Sequence, residues 1–105
     1  MNNKNFDLSA NKLISYLASE IELQDNKYLI DLDYSNEILK LEIENKIFII
    51  NKQTPAQEIW LASPISGPYH FKNQNEKWID KKGNEIKDIL SRELSMLQVQ
   101  TIVLT

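Results

Sequence analysis

The chain has 105 residues, of which 42% are hydrophobic, and a formal net charge of −3 at pH 7. This length allows one domain with one core, and the acidic balance argues against a nucleic-acid partner, which usually requires a basic surface. The absence of cysteine and the single histidine exclude disulfides, thiolate metal sites and sites with several histidines, so any metal must be held mainly by carboxylates.

The first half of the chain predicts a helix followed by three strands. Apolar residues at spacings of three and four over residues 6–23 predict an amphipathic helix. Alternation of apolar and polar residues then predicts a hairpin, with strands at residues 28–34 and 39–44 and a charged outer face. The continuous apolar run at residues 47–50 predicts a central strand with both faces largely covered.

The second half predicts further strands and a second helix. Alternation predicts a strand at residues 57–62, and two short strands are expected at residues 69–72 and 77–80. Asn84 is predicted to be the N-cap of the second helix, with Glu85 in its first turn. This helix carries one apolar stripe, which consists of Ile86, Ile89, Leu90, Leu94 and Leu97.

The order of these elements indicates the fold class. A helix, five to six strands and a helix predict an α+β two-layer sandwich, with two terminal helices packed on one face of an antiparallel sheet. We expect residues 1–105 to form a single domain. The tail at residues 99–105 is too apolar for a free end, so Ile102, Val103 and Leu104 are expected to lie in a groove between the helices.

The stretch at residues 51–68 holds all three prolines and one of the two tryptophans. Its alternation predicts that Ile59 and Leu61 point into the core and that Trp60 points to the opposite face, together with Glu58. Pro55 is expected to end the preceding strand and Pro64 to end the strand that carries Trp60, because proline cannot donate a hydrogen bond to a neighbouring strand. An outward tryptophan is either covered by a loop or a long side chain of its own domain, or is available to a partner.

The same stretch resembles the signature of the frataxin family. The likeness rests on residues 51–55, Asn-Lys-Gln-Thr-Pro, on Ile-Trp-Leu at residues 59–61, and on Ser-Pro and Ser-Gly-Pro at residues 63–68. Tyr-His-Phe at residues 69–71 is similar to bacterial members. The resemblance extends from about Phe6 to Leu97 and implies the same α+β fold.

The resemblance also implies a protein-binding surface. Asn51, Gln53, Trp60 and His70 occupy positions at which frataxins contact the cysteine desulfurase and the iron-sulfur scaffold protein, whereas Lys52 is expected to point the other way. His70 stands where mitochondrial members carry arginine, so a fixed charge becomes a titratable one. The alternative for Asn51 and Gln53 is turn chemistry ahead of Pro55.

Four carboxylates form a candidate metal site, and they are Glu22, Asp25, Asp31 and Asp33. An open, oxygen-only ridge would bind Fe²⁺ or Mn²⁺ weakly, although charged residues at these positions also fit an ordinary solvated surface. The resemblance implies an acidic ridge that binds iron and partners. That ridge is thinned here, because neutral residues replace carboxylates of more acidic members at Ala18, Ser19, Leu23 and Leu29, and because Lys27 lies in the same region.

No catalytic motif is found. His70 with Ser63 or Ser66 is a weak candidate pair without a nucleophile elbow, and two glycines are too few for a phosphate-binding loop. No apolar run reaches the roughly 18 residues of a membrane span, and no secretory or transit segment is present, so we expect a cytoplasmic protein without a membrane partner.

The resemblance therefore implies an iron-binding accessory protein, not an enzyme, that is monomeric when free. As the resemblance implies, it would hold Fe²⁺ or Fe³⁺ weakly, attach to the cysteine desulfurase and scaffold complex, and modulate iron-sulfur cluster assembly. The alternatives are an oligomeric iron-storage or ferroxidase protein, and an adaptor that binds proteins through Trp60 without metal. The paired carboxylate and histidine motifs of a di-iron ferroxidase centre are absent from the sequence.

Overall fold

The computed structural model describes residues 2–97 and 101–105, and its two helices pack on one face of a six-stranded antiparallel sheet. Helix α1 spans Asn3–Gln24 and helix α2 spans Ile86–Leu97. The strands are β1 Asp31–Ser35, β2 Ile38–Ile43, β3 Lys46–Gln53, β4 Glu58–Ser63, β5 Gly67–Gln74 and β6 Lys77–Ile79, and a 3-10 turn at Thr54–Ala56 joins β3 to β4. The strands pair in chain order. The predicted fold class is confirmed.

Helix α1 begins one turn before the predicted start. The side chain of Asn2 accepts a hydrogen bond from the Asn5 backbone N–H at 2.8 Å, which satisfies one of the free donors at the helix start. The apolar stripe of α1 then packs on the sheet and is almost fully buried at Phe6, Ala10, Leu13, Ile14, Leu17, Ala18 and Ile21.

The sheet has one covered face and one open face. The covered face carries the buried side chains of β2 to β5, which are Leu39, Leu41, Ile43, Phe48, Ile50, Ile59, Leu61 and Phe71. On the open face Ile47 and Ile49 are each 39% exposed. The prediction that β3 is covered on both faces is therefore wrong, because both helices lie on the same side and the side chains of a strand alternate between faces.

Two predicted boundaries are also wrong. Strand β1 begins at Asp31 rather than at residue 28, because Tyr28 has a positive φ of 55° that is incompatible with a strand. Helix α2 begins at Ile86, and Asn84 does not cap it, since the Asn84 backbone N–H and side-chain amide both donate to the Asp80 carboxylate, at 2.8 and 3.1 Å.

The C-terminal tail lies between the two helices, as predicted, although residues 98–100 lie outside the described residues. Ile102 and Leu104 are buried in the groove, whereas Val103 is 53% exposed, so the prediction that Val103 also lies in the groove is wrong. The Gln24 amide of α1 donates to the Val103 carbonyl at 2.7 Å and accepts from the Val103 N–H at 2.8 Å. On the other side, the Ser95 hydroxyl of α2 accepts from the Ile102 N–H at 2.9 Å. The tail thus ties the end of α1 to α2.

Candidate functional site

The open face of the sheet, which we call the outer face, brings three of the four predicted partner-binding residues side by side. In the register of β3, β4 and β5, Asn51 is paired with Trp60, and Trp60 is paired with His70. The fourth, Gln53, lies two residues along β3 and is paired with Glu58. Residues that are far apart in the sequence therefore form one continuous surface, because antiparallel pairing fixes which side chains are neighbours.

Trp60 points to the outer face, as predicted, and two neighbours hold its indole ring. Its Nε1–H donates a hydrogen bond to Glu58 Oε1 at 3.0 Å. The His70 ring stacks on the indole with centroids 4.3 Å apart and an interplanar angle of 10°. Trp60 is half-buried, so a neighbouring side chain covers part of the ring while the rest remains open to solvent.

Glu58 organises the electrostatics of this surface. Its side chain is only 16% exposed, and its Oε2 lies 3.6 Å from Lys72 Nζ. The hydrogen bond from the Trp60 indole, followed by the charges of Lys72 and His70, lowers the pKa of Glu58 despite the opposing effect of burial. Glu58 is therefore ionised at neutral pH and remains an acceptor for the Trp60 indole.

The turn interpretation of Gln53 is not supported, since Gln53 precedes the 3-10 turn but makes no side-chain capping hydrogen bond to it. Lys52 points to the covered face, as predicted, and its Nζ lies 3.4 Å from Asp7 Oδ1 and 3.2 Å from Glu37 Oε2. Lys52 therefore connects α1 to the β1–β2 turn and plays no part in the outer face.

Exposed isoleucines extend the outer face beyond the predicted set, and Ile38 and Ile49 lie nearest to the row of Asn51 and Trp60. Ile38 is paired with Asn51 and is 42% exposed, and Ile49 is paired with Ala62 and is 39% exposed. Period-two alternation through β3 was the signal that could have placed Ile49 outside. These apolar side chains and the Trp60 ring lie beside the side-chain amides of Asn51 and Gln53. This arrangement matches the apolar centre and polar rim of protein interfaces.

The four predicted metal ligands do not share one surface. Glu22, Asp31 and Asp33 are exposed. Asp25 is 7% exposed, and its two carboxylate oxygens accept the backbone N–H groups of Leu29 and Ile30, each at 2.9 Å. Within residues 2–97 and 101–105 no group of three or more histidine, cysteine, aspartate or glutamate side chains is arranged to hold a metal ion. Metal binding at these residues stays a prediction, and it would be of the open, weak kind.

Among the positions that thin the acidic ridge, Ala18 is buried at 7% exposure, whereas Leu23 and Leu29 are exposed at 73% and 42%. A carboxylate at position 18 would thus face the core, whereas Leu23 and Leu29 place apolar groups in solvent next to Asp25. The surface at the end of α1 therefore includes exposed apolar side chains among the carboxylates of the acidic ridge.

A buried carboxylate that the sequence analysis missed lies on the other side of the sheet. Glu93 of α2 is 1% exposed and accepts hydrogen bonds from Ser63 Oγ at 2.6 Å and Ser66 Oγ at 2.5 Å. The burial of Glu93 could have been predicted from the sequence, because Glu93 lies beside Leu90 and Leu94 on the apolar stripe of α2. Ser63 therefore faces α2, whereas His70 lies on the outer face, so the weak Ser–His pairing is not formed.

No helix in the described part of the chain is long and apolar enough to cross a membrane.

The sequence comparisons agree with the geometry. A family model described as a frataxin-like domain matches residues 1–99. The iron-sulfur cluster assembly protein CyaY of Buchnera aphidicola is 36% identical over 84 residues, which make up 79% of this chain and 72% of that protein. The mitochondrial frataxin homolog of Saccharomyces cerevisiae is 41% identical over 66 residues, or 61% of this chain and 38% of that protein.

Solved structures show the same fold. Frataxin from Psychromonas ingrahamii superposes with a TM-score of 0.86 at 32% identity, over 100% of this chain and 99% of that one. Trimeric yeast frataxin complexed with ferrous iron gives a TM-score of 0.79 at 31% identity, over 88% of this chain and 87% of that one. The Buchnera relative is named as an assembly protein and not as an enzyme, in agreement with the prediction of a non-catalytic accessory protein.

Proposed function

The chain belongs to the frataxin family, and on that premise we propose that it acts in iron-sulfur cluster assembly, as its Buchnera relative is named to do. In this proposal it binds the cysteine desulfurase and the scaffold protein in the cytoplasm, is monomeric when free, and modulates cluster assembly without catalysing a covalent step. The observation that carries the proposal is the row formed by Asn51, Trp60 and His70 across three strands.

The geometry of Trp60 favours a protein partner over a small ligand. A tryptophan contributes a large contact area, and its contribution to binding grows when few rotamers must be frozen. Here the hydrogen bond to Glu58 and the stacked His70 ring fix the indole before any partner arrives. The surface around it is a sheet face rather than an enclosed cavity, which suits the broad contact of a protein interface.

The proposed role is tested by reconstituting cluster assembly. The purified cognate desulfurase and scaffold are supplied with cysteine and ferrous iron, and the rate of cluster formation is followed by absorbance with and without a saturating amount of this chain. The proposal expects a changed rate, upward or downward, that depends on Trp60. A rate that this chain leaves unchanged would contradict the proposal.

Iron enters the proposal as cargo held weakly by exposed carboxylates. Glu22, Asp31 and Asp33 are the ligands proposed to contact it, with Asp25 behind them, and a yeast relative is known in a complex with ferrous iron. Oxygen ligands on an open surface leave an ion largely hydrated, so low affinity is expected. Measuring the oligomeric state of the protein with and without iron distinguishes weak iron binding by a monomer from iron storage, since storage requires an iron-dependent oligomer.

A further inference from the structure

A cavity of about 350 Å³ opens between helix α1 and the β5–β6 hairpin, on the side of the domain where β6 forms the edge of the sheet. Its size falls in the range of small-ligand sites, which is roughly 300 to 1,000 Å³. The row of Asn51, Trp60 and His70 does not line this cavity, and neither do the four predicted metal ligands. The cavity is therefore separate from the outer face and from the acidic end of α1.

The floor of the cavity is apolar. Trp78 of β6 and Leu13 of α1 line it and are 4% and 7% exposed, so only an edge of each side chain reaches the cavity. The Trp78 ring packs edge to face with Phe6, and the two ring centroids are 5.8 Å apart. Tyr16 also lines the cavity, and its hydroxyl accepts the Thr105 N–H at 3.0 Å. A floor made of rings that the fold holds in place suits a flat apolar group.

The polar residues around this floor carry hydrogen-bond donors that the described part of the chain does not use. Ser9 and Lys12 of α1 and Asn73 of β5 line the cavity. Within residues 2–97 and 101–105 their side chains have no hydrogen-bond or ion-pair partner. Asn73 is half-buried and is paired with Trp78 in the strand register, so its amide lies directly beside the floor. Donors without a partner in a half-buried place gain most from an added acceptor, so these side chains favour a ligand that accepts hydrogen bonds.

Lys87 of α2 adds a second positive charge to the lining. Its Nζ lies 4.7 Å from the centroid of the Tyr16 ring and donates to the Thr105 carbonyl at 3.0 Å. These two contacts hold the ammonium group in place and leave two of its N–H donors for a ligand. Against Lys12 and Lys87 stands one carboxylate side chain, the exposed Glu76 of the hairpin turn. The lining side chains are thus net positive in a chain whose net charge is −3, which favours an anion over a metal cation.

We propose that this cavity, here called the Lys12 pocket, binds a small organic anion that carries one carboxylate on a flat apolar body. The carboxylate accepts hydrogen bonds from the Lys12 ammonium and the Asn73 amide, and the apolar body lies on Trp78. One negative charge fits better than two, because the Glu76 carboxylate repels the second. An inorganic anion would leave the apolar floor uncovered, and a neutral ring would leave the donors unpaired. This inference goes beyond the role in iron-sulfur cluster assembly and does not depend on it.

The test uses cinnamate as the probe, together with two matched compounds. Cinnamamide keeps the flat body and removes the charge, whereas inorganic phosphate keeps a negative charge and removes the flat body. Binding is followed by NMR at constant ionic strength, and the indole N–H signals of Trp60 and Trp78 report on the outer face and the Lys12 pocket. We expect cinnamate to shift the Trp78 signal with a dissociation constant on the order of 1 mM, and to leave the Trp60 signal unchanged. Cinnamamide and phosphate should each bind about fivefold or more weakly.

Lys12→Gln is the principal variant, because Lys12 is exposed and its side chain makes no hydrogen bond or ion pair within the described residues. It should keep the wild-type melting temperature and bind cinnamate about fivefold or more weakly. Lys46→Gln is the matched control, since it removes the same charge from an exposed lysine that does not line the pocket. It should bind cinnamate as the wild type does.

Three results would overturn the inference. Equal affinities for cinnamate and cinnamamide would mean that the pocket does not select an anion. Equal affinities of Lys12→Gln and the wild type for cinnamate, or a shift of the Trp60 signal without a shift of the Trp78 signal, would mean that the site lies elsewhere. A Trp78 signal that cinnamate leaves unchanged would mean that the Lys12 pocket is no binding site. None of these results bears on cluster assembly, so the proposed function is tested separately.

Discussion

The outer face and the acidic end of the molecule differ in what brings their residues together. On the outer face, strand register alone places Asn51, Trp60 and His70 side by side. At the acidic end, Glu22 belongs to a helix, Asp25 to a turn, and Asp31 to an edge strand. Three paired strands form a continuous surface by their register. The arrangement of residues at the acidic end depends instead on a loop, on Asp25 and on the tail that contacts α1.

The two surfaces should therefore respond differently to local damage. The outer face is held by central strands and by the Glu58 and His70 contacts with Trp60. The acidic end is held by the Gln24 hydrogen bonds to Val103 and by the Asp25 hydrogen bonds to the loop.

Removing residues 101–105 should have the largest effect on stability. The deletion exposes the groove that Ile102 and Leu104 fill, and burying two such side chains stabilises the fold by about 3 to 6 kcal/mol. The melting temperature should fall by about 10 °C or more, as measured by calorimetry. Because the tail holds Gln24, the end of α1 should lose protection from hydrogen exchange before β4 does.

The matched controls for the tail lie within it. Val103→Ala changes an exposed side chain and should leave the melting temperature nearly unchanged, whereas Ile102→Ala should lower it clearly. Equal effects of the two substitutions would contradict the packing of the tail between the helices.

Asp25→Ala should come next in size. It leaves the N–H groups of Leu29 and Ile30 without their acceptor, and the expected loss is about 1 to 3 kcal/mol in the free energy of unfolding. Urea unfolding in the absence of metal measures it. Asp31→Ala is the control, because its carboxylate is exposed and its loss should change the free energy by no more than about 0.5 kcal/mol. If the two variants were equally stable, Asp25 would not organise the loop.

The Trp60 hydrogen bond to Glu58 should appear as a smaller, pH-dependent effect. Glu58 has a pKa below its ordinary value of 4.5 in the folded state, so its contribution to stability is present above that pH and is lost as the pH falls through the lowered pKa. Trp60→Phe removes the donor and should cost about 1 kcal/mol at pH 7 and less at pH 3.

Measuring Trp60→Phe in a Glu58→Gln background separates the contribution of the Trp60–Glu58 hydrogen bond from the contribution of packing. With His70→Ala added to that background, neither ionisable neighbour of Trp60 remains, so the effect of Trp60→Phe on the free energy of unfolding should not vary between pH 3 and pH 7. A difference that persists unchanged at pH 3 with Glu58 present would mean that the hydrogen bond does not lower the pKa.

Iron binding should give the smallest signal. Titration calorimetry with Fe²⁺ under argon should show weak heats for the wild type and weaker heats for a variant with Glu22→Ala, Asp31→Ala and Asp33→Ala, which keeps Asp25 because of its role in the loop. Equal heats for the two proteins would remove these carboxylates from the list of ligands.

The contrast also shows which parts of the structure the sequence can predict. Alternation in β4 predicted the direction of Trp60, and the preceding residues predicted the opposite direction for Lys52, because strand periodicity is local. The inward turn of Asp25 was not predictable, since a loop carboxylate points wherever its turn directs it. The exposure of Ile49 follows only when the alternation is extended back from Asn51, because an apolar run by itself does not indicate on which side of the sheet the helices lie.

We propose that the outer face binds the partner complex through Trp60, and the affinity for the purified desulfurase and scaffold complex tests this claim directly. Wild type, Trp60→Ala and the control Leu8→Ala are titrated at one salt concentration, after thermal unfolding shows that all three are folded. We predict that Trp60→Ala loses affinity by about thirtyfold or more and that Leu8→Ala binds like the wild type. Equal affinities for all three proteins would contradict the claim.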